Sequence, residues 1–172
     1  MKLIAILLII IHVCCDSGIP VIPCINCDCP LGFRRFNRPD GHAVCIKMAV
    51  KWLNYYQAVS LCASQAPGAK LIGLATKEEI DYVAARSITA NAGYWWYYIG
   101  AFRNPFCHAE REVLETRPNC SIDKMFVWTD NITESKFAWS YKWHLFNPNS
   151  FYKDGEFESA IAIKETGLGD WR

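Results

Sequence analysis

The sequence predicts a single α+β domain. Two observations lead to this prediction. The first half contains two stretches with helical spacing of apolar residues, and the second half contains short aromatic strands separated by long irregular segments. No internal repeat and no low-complexity segment is visible along the 172 residues. A chain of this length is sufficient for one domain with a full hydrophobic core.

The N-terminus has the features of a secretory signal peptide. Lys2 precedes an apolar run over residues 3–13, and the small residues Ser17 and Gly18 follow it. The run is shorter than the roughly 20 residues that a membrane-spanning helix needs. We therefore predict a signal peptide over residues 1–18, a short leader over 19–28 and the folded domain over 29–172. An uncleaved anchor or an N-terminal core helix is the alternative.

Charge and hydropathy exclude two classes of partner. The chain has 18 Lys and Arg against 17 Asp and Glu, a formal net charge of +1, without a basic stripe. Nucleic-acid binding needs a concentrated positive surface, because much of its affinity comes from the release of counterions. We therefore predict no nucleic-acid partner. No stretch after the signal peptide is long and apolar enough to span a membrane, so we predict a secreted, extracellular protein.

Nine cysteines indicate a disulfide framework, because a secreted chain folds in an oxidising compartment. Cys14 and Cys15 belong to the predicted signal peptide. Seven remain, an odd number: Cys24, Cys27, Cys29, Cys45, Cys62, Cys107 and Cys120. At least one of them therefore lacks a partner within the chain. The close spacing from Cys24 to Cys29 is also typical of a metal knuckle, but no second cluster with ligand spacing follows.

A β-hairpin and a helix are predicted first. The hairpin covers residues 33–47, and its turn is Arg38-Pro39-Asp40-Gly41, in which proline fixes φ and glycine supplies the left-handed position. The helix lies around residues 54–64 and ends at Pro67-Gly68. Its predicted buried face has helical spacing and consists of Tyr55, Val59 and Cys62, with Ala58 and Ala63 beside them.

A short buried strand and a second helix are predicted next. The strand is the apolar segment Leu71-Ile72-Gly73-Leu74. The helix begins at Thr76 with a capping box, in which the Thr76 hydroxyl accepts from the Glu79 amide and the Glu79 side chain reaches back to the Thr76 amide. The sequence Asn-Ala-Gly at residues 91–93 ends the helix. Its apolar stripe consists of Ile80, Val83, Ala84 and Ile88.

The second half begins with a strand-forming aromatic run from Tyr94 to Phe102. The polar stretch over residues 103–124 contains Cys107 and Cys120, and a disulfide across such a loop stabilises a fold by about 3 kcal/mol in the chain-entropy model. Asn131-Ile132-Thr133 is an N-glycosylation sequon, which predicts a glycan on Asn131 in a surface loop. Asn119-Cys120-Ser121 is a poorer sequon.

Several short motifs follow one another in a characteristic order. They are Tyr98-Ile99-Gly100-Ala101, Trp128-Thr129-Asp130, Trp143, Asn147-Pro148-Asn149, Glu158 before the apolar run at 160–163, and Trp171. Together with Tyr55, Ala58 and Cys62 in the first helix, this order resembles the C-type lectin domain, of the secreted type found in invertebrates. The resemblance covers about residues 29–172. It implies two helices packed on a small antiparallel sheet with a long irregular loop region, and a carbohydrate-binding or protein-binding function.

The resemblance also implies where a sugar-binding calcium ion would be held. In the family, a tripeptide with a cis proline, a later glutamate and an Asn-Asp pair after a late tryptophan supply the ligands. The matching residues are Asn147, Asn149 and Glu158, which we predict as metal and carbohydrate ligands, with Trp171 as the tryptophan. Arg172 stands where the family has the ligand asparagine. Calcium takes about six to eight oxygen ligands and depends on their charge, so the single carboxylate favours a calcium-free loop over a calcium-dependent sugar site.

The family's cysteine pattern implies a disulfide between Cys29 and Cys45, which staples the N-terminal hairpin. The helix cysteine, here Cys62, pairs in the family with a cysteine of the last strand, and this sequence ends before that strand. The resemblance therefore implies that Cys62 is left unpaired and that the chain is truncated at its C-terminus. A pairing of Cys24 with Cys27 stays open. The same resemblance places three tryptophans mostly in the core: Trp128, Trp143 and Trp171.

Catalytic motifs are missing from the sequence. There is neither a nucleophile elbow nor a His-Glu-x-x-His helix. Asp130 and Glu158 are a carboxylate pair of the kind that glycosidases use, but any chain of this size offers such pairs. We therefore predict a binding module rather than an enzyme, with a glycan or a cell-surface or secreted protein as partner. The two functions that stay open are carbohydrate recognition and calcium-independent protein binding as an adhesion or inhibitor module.

Overall fold

The computed structural model describes residues 28–91, 96–153 and 155–171. The predicted signal peptide, the pairing of Cys24 with Cys27 and the role of Arg172 lie outside these ranges. Within them the elements follow in the order β1 (Arg34–Asn37), β2 (Ala43–Ile46), α1 (Tyr55–Ala63), α2 (Lys77–Asn91), β3 (Tyr97–Arg103), α3 (Arg111–Leu114), β4 (Phe126–Trp128), α4 (Phe137–Tyr141), β5 (Tyr152–Lys153), β6 (Glu156–Phe157), β7 (Ala160–Lys164) and β8 (Gly167–Trp171). Short 3-10 turns cover Pro105–Cys107 and Pro118–Cys120.

The predicted α+β class is confirmed. The largest sheet has four antiparallel strands in the order β4-β3-β7-β8, and the hairpins β1–β2 and β5–β6 each form a small sheet of their own. Strand β3 lies inside the largest sheet and separates two apolar clusters. Tyr97, Ile99 and Ala101 belong to one cluster and Tyr98 belongs to the other, because side chains alternate along a strand. Both faces of β3 are therefore buried, which explains its almost continuous apolar sequence.

The N-terminal hairpin forms as predicted. Its register runs from Arg34 opposite Ile46 to Asn37 opposite Ala43. Gly41 has φ of 85° in the turn, a conformation that glycine adopts without steric cost. A disulfide joins Cys29 to Cys45, as the family resemblance implied.

Helix α1 has the predicted position but not all of the predicted buried face. Asn54 caps it, with Gln57 completing a capping box. Tyr55, Ala58 and Cys62 are buried, whereas Val59 is exposed. The prediction for Val59 is wrong because the helix meets β3 along the i, i+3, i+7 line, where the Tyr55 ring contacts Tyr98 edge-on at 5.6 Å between centroids.

Helix α2 shows a similar mixture of agreement and correction. Thr76 Oγ1 accepts from the Glu79 amide at 3.2 Å, as predicted. The Glu79 carboxylate reaches the amide of Ala75 instead of that of Thr76, at 2.7 Å. The apolar stripe is correct for Ile80 and Val83 but wrong for Ile88, which is exposed. The residue buried one position earlier is Ser87, whose hydroxyl donates back to the Ala84 carbonyl within the helix.

The predicted strand over residues 71–74 is not a strand. Its four residues are buried, but they form no ladder with a neighbouring strand. The Ile72 carbonyl accepts from the Gly100 amide of β3 at 2.7 Å, and side chains bond the backbone of Gly73. The Gly73 amide donates to the Asp130 carboxylate at 2.7 Å, and the Gly73 carbonyl accepts from the guanidinium of Arg38 at 2.8 Å. An apolar run therefore indicated burial correctly without indicating backbone pairing.

The tryptophans expected in the core are half-buried. Trp128 and Trp143 pack against the cluster that contains Tyr97, and Trp171 packs against the cluster that contains Tyr98. The ring of Trp128 also stacks on Trp139 with 4.1 Å between centroids. These three tryptophans therefore pack against the core with part of their surface.

The Cys107–Cys120 disulfide closes a loop with a sequence separation of 13. Replacing both cysteines by alanine is expected to lower the free energy of unfolding by about 3 kcal/mol, because the unfolded chain loses its cross-link. Chemical denaturation followed by tryptophan fluorescence measures this loss. Replacing Val113, an exposed residue within the loop, by alanine is the matched control and is expected to change stability little. An unchanged midpoint in the double cysteine variant would contradict the prediction.

Candidate ligand-binding site

An exposed loop connects α4 to the hairpin β5–β6, and we call residues 144–151 the proline loop. It contains the Asn147-Pro148-Asn149 tripeptide, whose Asn147–Pro148 peptide bond is cis. Large apolar side chains flank the tripeptide on both sides. Leu145 is 69% exposed, Phe146 74% and Phe151 55%, and the adjoining Tyr152 of β5 is 51% exposed. Such a concentration of exposed apolar side chains on one loop is typical of an interaction surface.

Two residues of the proline loop have a left-handed backbone. Phe146 has φ of 65° and Ser150 has φ of 53°. A bulky residue in this region costs about 1–2 kcal/mol, because Cβ approaches the following carbonyl oxygen. Such conformations persist where the surrounding structure holds them, and they concentrate at ligand-binding sites.

A buried carboxylate holds the loop from behind. Asp170 Oδ1, on β8, accepts from the Asn149 amide at 2.9 Å, and its Oδ2 accepts from the Ser150 amide at 2.7 Å. The Ser150 hydroxyl donates to the Ala109 carbonyl at 2.5 Å. Asp170 and Ser150 are both buried, so these bonds are shielded from water. The loop backbone is thus attached to the sheet directly after the tripeptide.

A buried arginine completes this arrangement. Arg103, at the end of β3, forms an ion pair through Nη2 with Asp170 Oδ2, and neither side chain is exposed to solvent. Its Nε donates to the Glu158 carbonyl at 2.9 Å, and its guanidinium lies over the ring of Phe126, 4.8 Å from the centroid. Burial lowers the pKa of Arg103, whereas the charges of Asp170 and Glu158 raise it. Burial is the largest of these effects, so the pKa of Arg103 is lower than its usual value.

Glu158 also contacts the loop through its backbone. Its amide donates to the Phe151 carbonyl at 3.0 Å, immediately before β7 begins. The side chain of Asn147 approaches the sheet at Gly169 of β8. A Cβ atom added to this glycine would lie 3.0 Å from Asn147 Oδ1. The structure therefore places the predicted residues beside β7 and β8, with Asn147 at the middle of β8 and Asn149 and Glu158 nearer the end where β7 begins.

The residues at this position do not fit a calcium shell. Calcium takes about six to eight oxygen ligands, and its affinity depends on how many of them are charged. The carboxylate of Asp170 is occupied by two amides and by Arg103, and Asn149 Oδ1 accepts from the Phe151 amide at 3.1 Å. The Arg103 guanidinium already supplies positive charge beside Asp170, and it would repel a divalent cation.

Sequence reasoning missed two residues of this site, Arg103 and Asp170. Both carried a signal. Arg103 directly continues the apolar run of β3, and Asp170 lies within a short segment that becomes the edge strand β8. Charged residues are rarely buried without a partner, so each of them indicated that an opposite charge lay nearby. The sequence did not show that they pair with each other, because 67 positions separate them.

A tryptophan lies close to the tripeptide. The ring of Trp96 packs over Gly169, because a Cβ atom added to this glycine would lie 2.7 Å from the ring. Asn147 approaches the same glycine. Trp171 lies 5.4 Å from Trp96 between ring centroids, and Lys164 Nζ lies 4.8 Å from the centroid of Trp96. Trp96 is half-buried and lies beside the proline loop.

An open cleft of about 310 Å³ borders the loop on another side. Pro148 and Ser150 contribute to its wall, and Arg111 and Arg117 lie on it together with Glu115. Arg111 pairs with Glu115 at 3.1 Å, whereas Arg117 donates to the Phe106 carbonyl at 3.2 Å. The cleft therefore has a positive charge at Arg117 that no carboxylate in its wall offsets, and this favours an acidic ligand group.

Asp130, noted above with Glu158 as a carboxylate pair, is a structural residue. It is buried and accepts four hydrogen bonds, from the amides of Gly73, Ile132 and Thr133 and from the Thr133 hydroxyl. A carboxylate with these partners cannot reach a substrate. The neighbouring Asn131 is exposed, as a glycan acceptor must be, and its glycosylation stays a prediction.

Two further observations concern the environment of the protein. The disulfides Cys29–Cys45 and Cys107–Cys120 fit an oxidising, extracellular compartment. Across the described residues, no helix combines the length and the apolar character needed to cross a bilayer. Cys62 is buried on α1, and the expectation that it is left unpaired stays a prediction.

Comparison with known proteins agrees with the motif order and with the fold. No curated protein and no solved structure matched the chain. A protein-family model described as C-type lectin domain-containing protein 141/158 matches residues 36–167. This stretch covers most of the chain, from β1 to the start of β8, and includes the proline loop. The protein therefore belongs to the C-type lectin domain family represented by C-type lectin domain-containing protein 141/158.

Proposed function

We propose that this protein is a secreted binding module that attaches to another protein through the proline loop, without calcium. The observation that carries the proposal is the set of large exposed apolar side chains on a loop with a buried attachment. Interface cores are enriched in aromatic residues, and a few such residues supply most of the binding energy. Leu145, Phe146, Phe151 and Tyr152 have this character.

Two features support a protein partner of defined chemistry. The loop is held before any ligand arrives, through Asp170 and Ser150, which reduces the ordering cost of binding. The neighbouring cleft carries the charge of Arg117 and suits an acidic side chain. We therefore expect a partner surface that combines an apolar patch with an acidic residue.

Carbohydrate recognition without calcium is the second candidate. The exposed Asn149, the half-buried Asn147 and the partly exposed ring of Trp96 favour it, because amides bind sugar hydroxyls and an indole ring packs on a pyranose face. In this reading Asn147, Asn149 and Glu158 are the carbohydrate ligands. The exposed Leu145 and Phe146 have no role in it, and for that reason we favour the protein partner.

The experiment is binding of the fluorescently labelled full chain to intact cells of the same organism, in calcium and in EDTA. Cells are pretreated with protease or with glycosidases, and the same labelled chain is applied to a printed glycan array. Binding that survives EDTA and glycosidases but is lost after protease supports the proposal. Binding that requires calcium and is competed by a free sugar contradicts it. Calcium-independent binding to the array supports the second candidate instead.

Replacing Phe146 by glycine is expected to reduce cell binding at least tenfold, because a central aromatic contact is worth about 2 kcal/mol or more. The fold is expected to tolerate the change. Glycine adopts the observed φ of 65° freely, so stability should stay within about 1 kcal/mol of the unmodified chain. The matched control is replacement of Tyr56, which is similarly exposed on α1, by alanine. Equal losses of binding in both variants would count against a role of the proline loop.

A further inference from the structure

We propose that the Arg103 guanidinium is a built-in cation that fixes the proline loop, so that this protein does not use a metal ion for that purpose. The proposal goes beyond the proposed function, because it concerns the unbound protein and holds whichever ligand the loop contacts. The observation behind it is the mismatch between the calcium-type tripeptide and the buried ion pair beside it.

The contacts of Arg103 join the elements around the loop. The residue lies on β3, its Nη2 contacts Asp170 on β8, and its Nε donates to the carbonyl of Glu158 just before β7. Asp170 in turn accepts from the amides of Asn149 and Ser150. A single side chain therefore connects three strands to the loop through one shared carboxylate.

The charges explain why a cation is needed at this position. Asp170 is fully buried, and an uncompensated buried carboxylate is strongly unfavourable unless a positive charge or several hydrogen bonds satisfy it. Two backbone amides reach it, and Arg103 supplies the charge. Without the guanidinium, the buried carboxylate would lack its counter-charge and would draw in water, which weakens its bonds to the loop amides.

The geometry of the site suits arginine better than lysine. The guanidinium uses Nε and Nη2 for different partners, and its flat face lies over the Phe126 ring. A lysine ammonium is a point charge and cannot reproduce this fork, although it restores the charge. The lysine variant therefore separates the contribution of charge from that of shape.

The test is hydrogen exchange of the full chain at the amides of Asn149 and Ser150, measured with calcium and with EDTA. We expect the unmodified chain to give equal protection in both conditions. In Arg103→Met, exchange at these two amides should become roughly 10- to 100-fold faster, which corresponds to the usual strength of hydrogen bonds to a charged group. Arg103→Lys should retain part of the protection. The amide of Arg38 in the N-terminal turn serves as internal reference, and Arg34→Met, at an exposed ion pair with Glu78, is the matched surface control.

Several outcomes would overturn the proposal. Protection at Asn149 and Ser150 that depends on calcium in the unmodified chain would show that a metal, and not Arg103, holds the loop. Unchanged exchange in Arg103→Met would do the same, as would equal acceleration in the lysine and methionine variants. If the methionine variant does not fold, the conservative Arg103→Lys variant carries the test: exchange at Asn149 and Ser150 should still be faster than in the unmodified chain, and unchanged exchange would overturn the proposal.

Discussion

Replacing Arg38 by methionine is expected to lower the free energy of unfolding by about 3–5 kcal/mol. The side chain is buried in the turn after β1 and binds Glu79 of α2 with two hydrogen bonds, from Nε at 2.8 Å and from Nη2 at 3.0 Å. It also donates to the Gly73 carbonyl at 2.8 Å and to Thr133 Oγ1 at 2.9 Å. The substitution leaves the Glu79 carboxylate buried without its counter-charge, and that is the source of the loss.

Thermal unfolding followed by circular dichroism measures this effect. For a domain of this size, a loss of 3–5 kcal/mol corresponds to a decrease in melting temperature of roughly 6–20 °C. The matched control is Arg34→Met, because Arg34 also pairs with a glutamate of α2, Glu78, at 3.2 Å but with both side chains exposed. Exposed pairs contribute about 0–1 kcal/mol. Similar melting temperatures in the two variants would refute the assignment of Arg38 as a buried anchor.

A second substitution separates the loss of the pair from the burial of one charge. Replacing Arg38 and Glu79 together by methionine removes both charges, so it is expected to be less damaging than the single Arg38 change. Recovery of a substantial part of the stability would indicate that the penalty comes mainly from the unpaired carboxylate. An additive loss would instead assign the energy to the hydrogen bonds with Gly73 and Thr133.

Gly100→Ala is expected to destabilise the fold by at least about 3 kcal/mol, at the upper end of the usual cost of overpacking. A Cβ at this position would lie 2.2 Å from the Leu71 carbonyl oxygen, and backbone atoms cannot move aside as a side chain can. The Gly100 amide donates to the Ile72 carbonyl at 2.7 Å, and its carbonyl accepts from Thr129 at 2.8 Å. The added methyl group would therefore force β3 away from the segment that it contacts.

The same denaturation experiment tests this prediction, with Gly68→Ala as control. Gly68 has open space around its Cβ position but φ of 75°. Alanine at this position is therefore expected to lower the free energy of unfolding only by the cost of a left-handed backbone, about 1–2 kcal/mol. We expect Gly100→Ala to be clearly the more damaging of the two. A smaller effect at Gly100 than at Gly68 would show that the close approach of residues 71 and 72 to β3 is not rigid.

Features that depend on neighbouring residues were predicted well from the sequence. The turn of the N-terminal hairpin follows from Pro39 and Gly41, and the start of α2 follows from Thr76, because these signals act over about four residues. The buried helix positions were predicted less well. Val59 and Ile88 fit a helical stripe but are exposed, because the angle at which each helix meets the sheet selects its buried line.

The candidate site divides in the same way. The resemblance to C-type lectin domains indicated Asn147, Asn149 and Glu158, and the structure places these residues beside β7 and β8. It did not indicate Arg103 or Asp170, which form a buried ion pair beside the proline loop. The order of short motifs does not show whether a buried charged residue pairs with another residue of the chain or with a bound ion.

The sequence alone thus determined the family, the α+β class and the position of the tripeptide, because local turn chemistry, apolar spacing and motif order are encoded in contiguous residues. Only the tertiary structure decided that residues 71–74 are buried without being a strand and that the proline loop is held by Arg103 through Asp170. Both decisions depend on long-range contacts. Side chains that are distant in sequence bond the buried backbone groups and pair with the buried charges. Packing, and not the neighbouring residues, determines which side chains these are.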